Sequence, residues 1–363
     1  MTPPFDSLSA PLTLARGPSW RNRLALSALT NRQSNADGTL HDAELSWLRS
    51  RARDGFGMVL TSAAHVNRSG QSFAGQLGAG SDGHVAGLGR IPAALRAEGS
   101  VAILQLHHGG LRADATVSGV PSVAPWDDAE TGSRALTTRE VDDSVRDFVS
   151  AAVRAEAAGF EGVEVHGAHG YLIGQFLDHR NDRSDGYGGP LASRARFLYE
   201  ILEGVRTATG PAFQVGVRLT AQRYDHGILI SESLEVATRL LESDWVDFLD
   251  WSLWDAFSTP EGDQCSQRPL VEHVLELPSH GVRIGVGGRV LSAAQAVQAL
   301  DLGADFVLIG RGAIRHHDFA TRALTEPSFA SSAEPVTRDH LRSQGIGEPF
   351  VDYLNQDFEG FVR

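Results

Sequence analysis

The segment His166-Gly-Ala-His169-Gly-Tyr171 sets two imidazoles three residues apart with a phenol beside them. On a turn, that spacing lets both rings point the same way. Two N–H groups converging on one oxygen stabilise an oxyanion, and a phenol with pKa about 10 stays protonated at neutral pH and can supply a proton. A His-x-x-His pair also suits a metal, with His107 or His108 as further ligands. That alternative, a metal-dependent barrel hydrolase, lacks a clear carboxylate at a neighbouring strand end. Farther along, Gly287-Gly288-Arg289 and Gly310-Arg311-Gly312 each set glycines beside an arginine. Glycines let backbone N–H groups close on a phosphate, and the arginine forks onto its oxygens. The plainer reading is two ordinary glycine turns with solvated arginines. Arg218 is permanently charged, and at the inner end of a strand it needs an anion to offset its desolvation. Gln105, a planar donor and acceptor, suits a ring with alternating carbonyl and N–H edges. Arg218, Gln105 and a phosphate site together point to a phosphorylated heterocyclic cofactor.

The elements that must position these residues are legible as eight short runs rich in Val, Ile and Leu. They are Arg23–Leu29, Gly57–Thr61, Val101–Leu106, Gly162–His166, Phe213–Arg218, Val246–Trp251, Val282–Val286 and Ala304–Ile309. Runs of this kind suit strands buried on both faces. Helical patterns follow them at 42–54, 83–98, 192–208, 231–243, 267–277 and 292–302, with Asp82, Ser231 and Ser292 as N-caps. Thr137-Thr-Arg-Glu140 reads as a capping box opening a further helix that Gly159 closes. Eight strand–helix units predict a single-domain (β/α)₈ TIM barrel, with its core at about 22–318 and a C-terminal extension at about 319–363. A doubly wound sheet would need a Gly-x-Gly-x-x-Gly turn after the first strand, where Thr30-Asn-Arg-Gln33 stands instead. Barrels of this kind work at the C-terminal ends of their strands, with phosphates after strands seven and eight. The motifs fall there. Two long connections, 63–82 and 109–136, read as lids or binding loops.

Composition narrows the chemistry further. Of 363 residues, 32 are basic and 45 acidic, giving a formal charge of −13. Every basic residue is an arginine, so amine chemistry is excluded: no Schiff-base lysine, no phosphate-loop lysine. The acidic balance argues against nucleic-acid and membrane partners. A single cysteine, Cys265, excludes an internal disulfide, a cysteine-rich zinc site and a cysteine-ligated iron–sulfur cluster. Met1-Thr-Pro-Pro-Phe-Asp6 is no signal segment, and no apolar run approaches the roughly 18 residues of a membrane span. A cytoplasmic protein is expected.

The most specific stretch runs from Gly159-Phe-Glu-Gly-Val-Glu-Val-His-Gly-Ala-His-Gly-Tyr-Leu172 through Gln175-Phe-Leu177 and Asn181-Asp-Arg-Ser-Asp-Gly-Tyr-Gly-Gly189 to Arg194-Ala-Arg-Phe197. With Gln105-Leu-His-His-Gly-Gly110, Val217-Arg218-Leu219, Gly287-Gly288 and Ile309-Gly310-Arg311, it resembles the Old Yellow Enzyme family of FMN-dependent ene-reductases. The likeness covers about residues 22–318. It implies FMN as cofactor, NADPH or NADH as transient hydride donor, and a small activated alkene as substrate. By the same resemblance, Ala28, Thr30 and Ala63 would lie along the flavin, with Thr30 near its O4/N5 edge. Gln105 would bond the pyrimidine side and Arg218 would stabilise charge at N1/O2. Gly287, Gly288, Gly310 and Arg311 would hold the phosphate, with Arg289 a weaker candidate. His166 and His169 would grip the substrate oxygen and Tyr171 would be the proton donor; no metal is implied. Departures from the family pattern are Leu111 for an arginine, Ser62 for an acid, Asn31-Arg32 for an aromatic, and the bulky Trp251-Ser-Leu-Trp254. They bear on substrate preference. A tRNA-modifying reductase is opposed by the −13 charge, and an iron–sulfur amine dehydrogenase by the single cysteine. A flavin reductase without ene-reductase activity stays open. So does a homo-oligomer, since tails in one branch of the family cover a neighbouring subunit's site and Phe358–Arg363 could do so.

Overall fold

The structure, a computed structural model, describes residues 6–261 and 267–363. Cys265 and the first five residues, on which the cysteine and signal-segment readings rest, lie outside them. Eight strands close into a parallel barrel in chain order. They are β1 Leu24–Leu26, β2 Met58–His65, β3 Val101–His107, β4 Gly162–His166, β5 Gln214–Thr220, β6 Phe248–Ser252, β7 Arg283–Gly287 and β8 Phe306–Ile309. Each falls on a predicted run. Between them run α1 Asp42–Arg53, α2 Arg90–Ala97, α3 Thr138–Ala157, α4 Leu191–Ala208, α5 Ile230–Leu241, α6 Leu270–Leu275 and α7 Ala293–Asp301.

Helix starts follow the local chemistry, with three corrections. Thr137 and Glu140 form the capping box of α3, and Ser292 caps α7 through the Gln295 N–H. Asp82 is not a cap; Ser81 takes that place on a short 3₁₀ turn. The predicted helix at 83–98 then divides into Val85–Leu88 and α2. Pro92 lies in the first turn of α2, where its missing N–H costs nothing. Ser231 is not a cap either, because α5 begins at Ile230, the first residue of its buried apolar face. The pattern at 267–277 shortens to α6 behind Pro269.

Period-two alternation sorts each strand into an outward and an inward face. Outward residues such as Val163, Val165, Val215 and Val217 join the helices in one core. Inward residues stack in three layers. At the base, Ile103, Phe248, Phe306 and Leu308 pack around Trp20, which an N-terminal hairpin carries into the barrel floor. Trp20 meets Phe306 and Phe248 edge-on at 4.8 and 5.6 Å. The middle layer is polar: Gln105, Glu164, Arg218 and Asp250, all buried. On top, at the strands' C-terminal ends, come His107, His166, Thr220 and Ser252.

After β8 the chain forms α8 Arg311–Arg315, α9 Phe319–Thr325, α10 Arg338–Ser343 and α11 Glu348–Asp357. The extension folds back onto its own barrel. Phe350 packs edge-on against Trp47 at 5.2 Å, and Gly347 N–H donates to Gln33 at 2.9 Å. Among the described residues no helix is long and apolar enough to cross a membrane.

The aromatic floor needs glycine beside it. A Cβ on Gly285 would come within 2.2 Å of the Phe306 ring. Gly285→Ala should therefore cost about 1–3 kcal/mol in urea unfolding, and Phe306→Leu in the same chain should recover part of it. An unchanged midpoint would contradict this packing.

Candidate active site

His166 and His169 converge as the spacing suggests. His166 Nε2 and His169 Nδ1 lie 3.3 Å apart at the end of β4. His169 takes a left-handed backbone, φ +61°, that turns its ring back toward His166. Its Nε2 meets Ser252 Oγ at 2.7 Å, and that hydroxyl in turn accepts from Arg218 at 3.2 Å. The chain Arg218–Ser252–His169 makes the serine donate to Nε2 and assigns the His169 proton to Nδ1. Nδ1 of His166 is buried without a partner, which leaves its proton on Nε2. The two nitrogens face each other within hydrogen-bonding distance, and with a proton on each they call for an oxygen between them that accepts from both. Burial drives both imidazoles well below their ordinary range; on His169 the cations Arg218, Arg223 and Arg112 add to it. They are neutral donors. Tyr171 stands beside them, its ring 5.2 Å from His166 and 4.3 Å from His107.

The other two histidines are committed elsewhere. His107 bonds Ser72 at 3.1 Å, while His108 accepts from Gly110 N–H at 3.1 Å and meets Ser69 at 3.2 Å. Among the described residues no group of three His, Cys, Asp or Glu side chains is placed to hold a metal ion.

Beneath the pair lies a feature absent from the sequence reading. Arg218 Nε sits 3.0 Å from Asp250 Oδ2, off the hydrogen-bond direction, so its counter-ion comes from its own chain. Its other contacts reach the Ala28 carbonyl and Ser252. Gln105 donates to Glu164 at 2.7 Å, and the charge of Asp250 acts on Glu164 across the same layer. Both carboxyls lie one layer below the strand ends, where His166 and Ser252 stand. Burial raises both acids, Glu164 the more, because Asp250 repels its charge. Two buried carboxyls that repel each other favour holding one proton between them, and the stronger upward push on Glu164 favours it there. Sequence contained the signal: Glu164 lies two residues before His166, and Asp250 two before Ser252, on the same inward faces.

Most of the remaining candidates gather in one slot, which Ala63 and Gln105 do not line. Ala28, Thr30, His169, Arg218, Gly287, Gly288, Gly310 and Arg311 all line a cavity of about 220 Å³, which opens into one of about 860 Å³. Ala63 and Gln105 pair in register where β2 bulges against β3. A Cβ on Gly288 would lie 1.6 Å from the Leu253 carbonyl, so the β6 loop alone already demands glycine there. Arg311 has no carboxylate partner among the described residues and lies over the exposed Trp254 ring at 4.7 Å. Arg289, only 3.7 Å from Asp255, is its cationic neighbour. Two such cations beside glycine turns fit a phosphate.

Three further residues complete the site. Glu44 of α1, fully buried, accepts from Ser34, Ser62 and Asn31, supplying the acid that Ser62 lacks. Tyr353 of α11 reaches the Thr30 hydroxyl, and burial with the phenol of Tyr171 across the cavity pushes its own up to about 12. Phe358 lines the same wall, so the tail borders its own barrel's site.

A closed parallel barrel with a phosphate cradle after β7 and β8 and a neutral histidine pair after β4 defines the class of flavin-dependent barrel oxidoreductases. The chain belongs to the NADH:flavin oxidoreductase / NADH oxidase family, whose model matches residues 7–326. It is 34% identical over 323 residues, 86% of each chain, to a probable NADH-dependent flavin oxidoreductase, YqiG, of Bacillus subtilis. To an NADH:fumarate oxidoreductase of Klebsiella pneumoniae it is 33% identical over 95% of its own length, spanning 38% of that protein. A structure of a morphinone reductase variant in complex with tetrahydroNAD superposes with a TM-score of 0.77 at 26% identity, covering 96% of this chain and 97% of that one. FMN, the family's cofactor, fits the residues that line the slot: Gly288, Gly310, Arg289 and Arg311 for its phosphate and Arg218 for the ring's polar edge, while Gln105 donates to Glu164 off that lining.

The shared proton has a consequence for stability. The folded state keeps it after the unfolded chain has released its own, so stability falls as pH rises above the ordinary carboxylate range. Glu164→Gln should flatten that fall in thermal midpoints measured from pH 5 to 9. An equal slope in both proteins would contradict a protonated Glu164.

Proposed function

We propose that the protein is an ene-reductase. It takes hydride from NADH or NADPH and reduces the C=C bond of α,β-unsaturated carbonyl or nitro compounds in a ping-pong cycle. The observation that carries this reading is the convergence of two neutral N–H donors, 3.3 Å apart, beside a phenol. FMN, when bound, supplies the hydride chemistry. The chain's own residues do the rest. His166 Nε2–H and His169 Nδ1–H hold the substrate oxygen and stabilise the negative charge that grows on it. Tyr171 gives its hydroxyl proton to the α-carbon. Ser252 keeps His169 in the donating tautomer, and Arg218 sets positive charge behind both. Donor and alkene take turns in the same cavity, with neither nucleic acid nor membrane as partner.

Turnover of cyclohexenone or N-ethylmaleimide with either nicotinamide tests the reading; reduction of bound flavin without any alkene turnover would leave a plain flavin reductase. His166→Ala or His169→Ala should slow reoxidation by the enone about 10²–10³-fold. Tyr171→Phe should slow reoxidation and spare reduction by nicotinamide. Equal damage to both half-reactions would remove Tyr171 as proton donor.

A further inference from the structure

The mouth of the site carries charge that the reaction above does not use. The cavity of about 860 Å³, toward the upper end of the roughly 300–1,000 Å³ common for ligand sites, is lined by six arginines against Asp357 and Glu359. That balance opposes the −13 of the whole chain. Arg289, Arg311 and Arg315 belong to the phosphate end. Arg32, Arg112 and Arg223 stand on the substrate side, on the loops after β1, β3 and β5.

Arg112 lacks a carboxylate partner among the described residues, and the other two pair with largely or half exposed ones. One Arg112 N–H group donates to the His169 carbonyl at 2.9 Å, and its guanidinium lies over the Tyr171 ring at 4.3 Å. Arg223 pairs with Asp225 of its own turn at 3.2 Å, whose side chain is largely exposed. Arg32 meets Asp357 at 3.4 Å and stacks on Tyr353 at 4.6 Å. Backbone strain gathers at the same place. Of four described non-glycine residues with positive φ, three (Arg32, His169 and Arg289) line this cavity or the flavin slot beside it. Strain of that kind persists where the surroundings hold a side chain to a task.

We infer that Arg112 and Arg223, beside His169 and Tyr171 at the rim of a cavity that Arg32 also lines, form a subsite for a carboxylate borne by the alkene. The inference rests on the ene-reductase reading and names its substrate class. Planar guanidinium forks match a carboxylate. Cations concentrated in a cleft raise the encounter rate of an anion about 10–10³-fold, an advantage that salt removes.

The test compares 3-maleimidopropionate with neutral N-ethylmaleimide as oxidants of the holoenzyme. At low ionic strength the anionic compound should show a kcat/KM about 10-fold higher or more, shrinking toward equality in high salt. In the Arg112→Gln/Arg223→Gln double variant the ratio should fall toward one, and the ratio cancels any general loss of activity. Equilibrium dialysis of 3-succinimidopropionate, the unreactive product, should show the same loss of binding. A ratio near one in the wild type, or a preference that survives the double variant, overturns the subsite. Loss confined to the reduction by NADH, with the maleimide preference intact, assigns the arginines to the dinucleotide's phosphates and overturns it too. Failure to reduce either maleimide overturns the ene-reductase reading first, and the subsite with it.

Discussion

One buried ion pair governs this site. Arg218 is a permanent cation inside a barrel whose interior is otherwise apolar below it, and Asp250 is its counter-ion. Two full carboxylates beside it would reverse the sign of the local charge. The proton shared between Glu164 and Asp250 prevents that, so the arginine stays matched by a single negative charge. Its polarity then passes upward through Ser252 to His169. The orientation of His169 follows from this row, while burial keeps both histidines neutral.

The row also explains the barrel's vertical order. Floor, middle and top are set by the same period-two alternation, read from strands only four to eight residues long except for the three-residue β1. Phe248, Asp250 and Ser252 climb one strand, from packing through charge to chemistry. Gly216, Arg218 and Thr220 climb its neighbour. A fold that stacks functions this way lets the floor be rigid while loops above it vary.

Much of this was legible in the sequence. The eight apolar runs marked the strands, and His166, His169, Arg218 and the two glycine–arginine turns marked the site, because strand ends and glycines leave local signatures. Glu164 and Asp250 lie within those same runs, two residues before His166 and Ser252 on the inward faces, and Ser252 lies one residue past the sixth run. Glu44 and Tyr353 were not legible. Tyr353 reaches the site from a helix far along the chain, and Glu44, though only 10 to 18 residues from Ser34, Asn31 and Ser62, turns inward from a helix whose local pattern does not record that burial. The cap at Ser231 failed because a buried Ile230 outweighed a polar side chain. The C-terminal extension borders its own barrel's slot through Tyr353 and Phe358.

The most direct measurement of this electrostatic account is infrared difference spectroscopy on protein carrying ¹³C-labelled glutamate. At neutral pH the account predicts the carbonyl stretch of one protonated, isotope-shifted carboxylic acid, present in the wild type and missing when Glu164 is glutamine. A spectrum showing every glutamate ionised would mean that two carboxylates face Arg218, and the charge balance described here would be wrong.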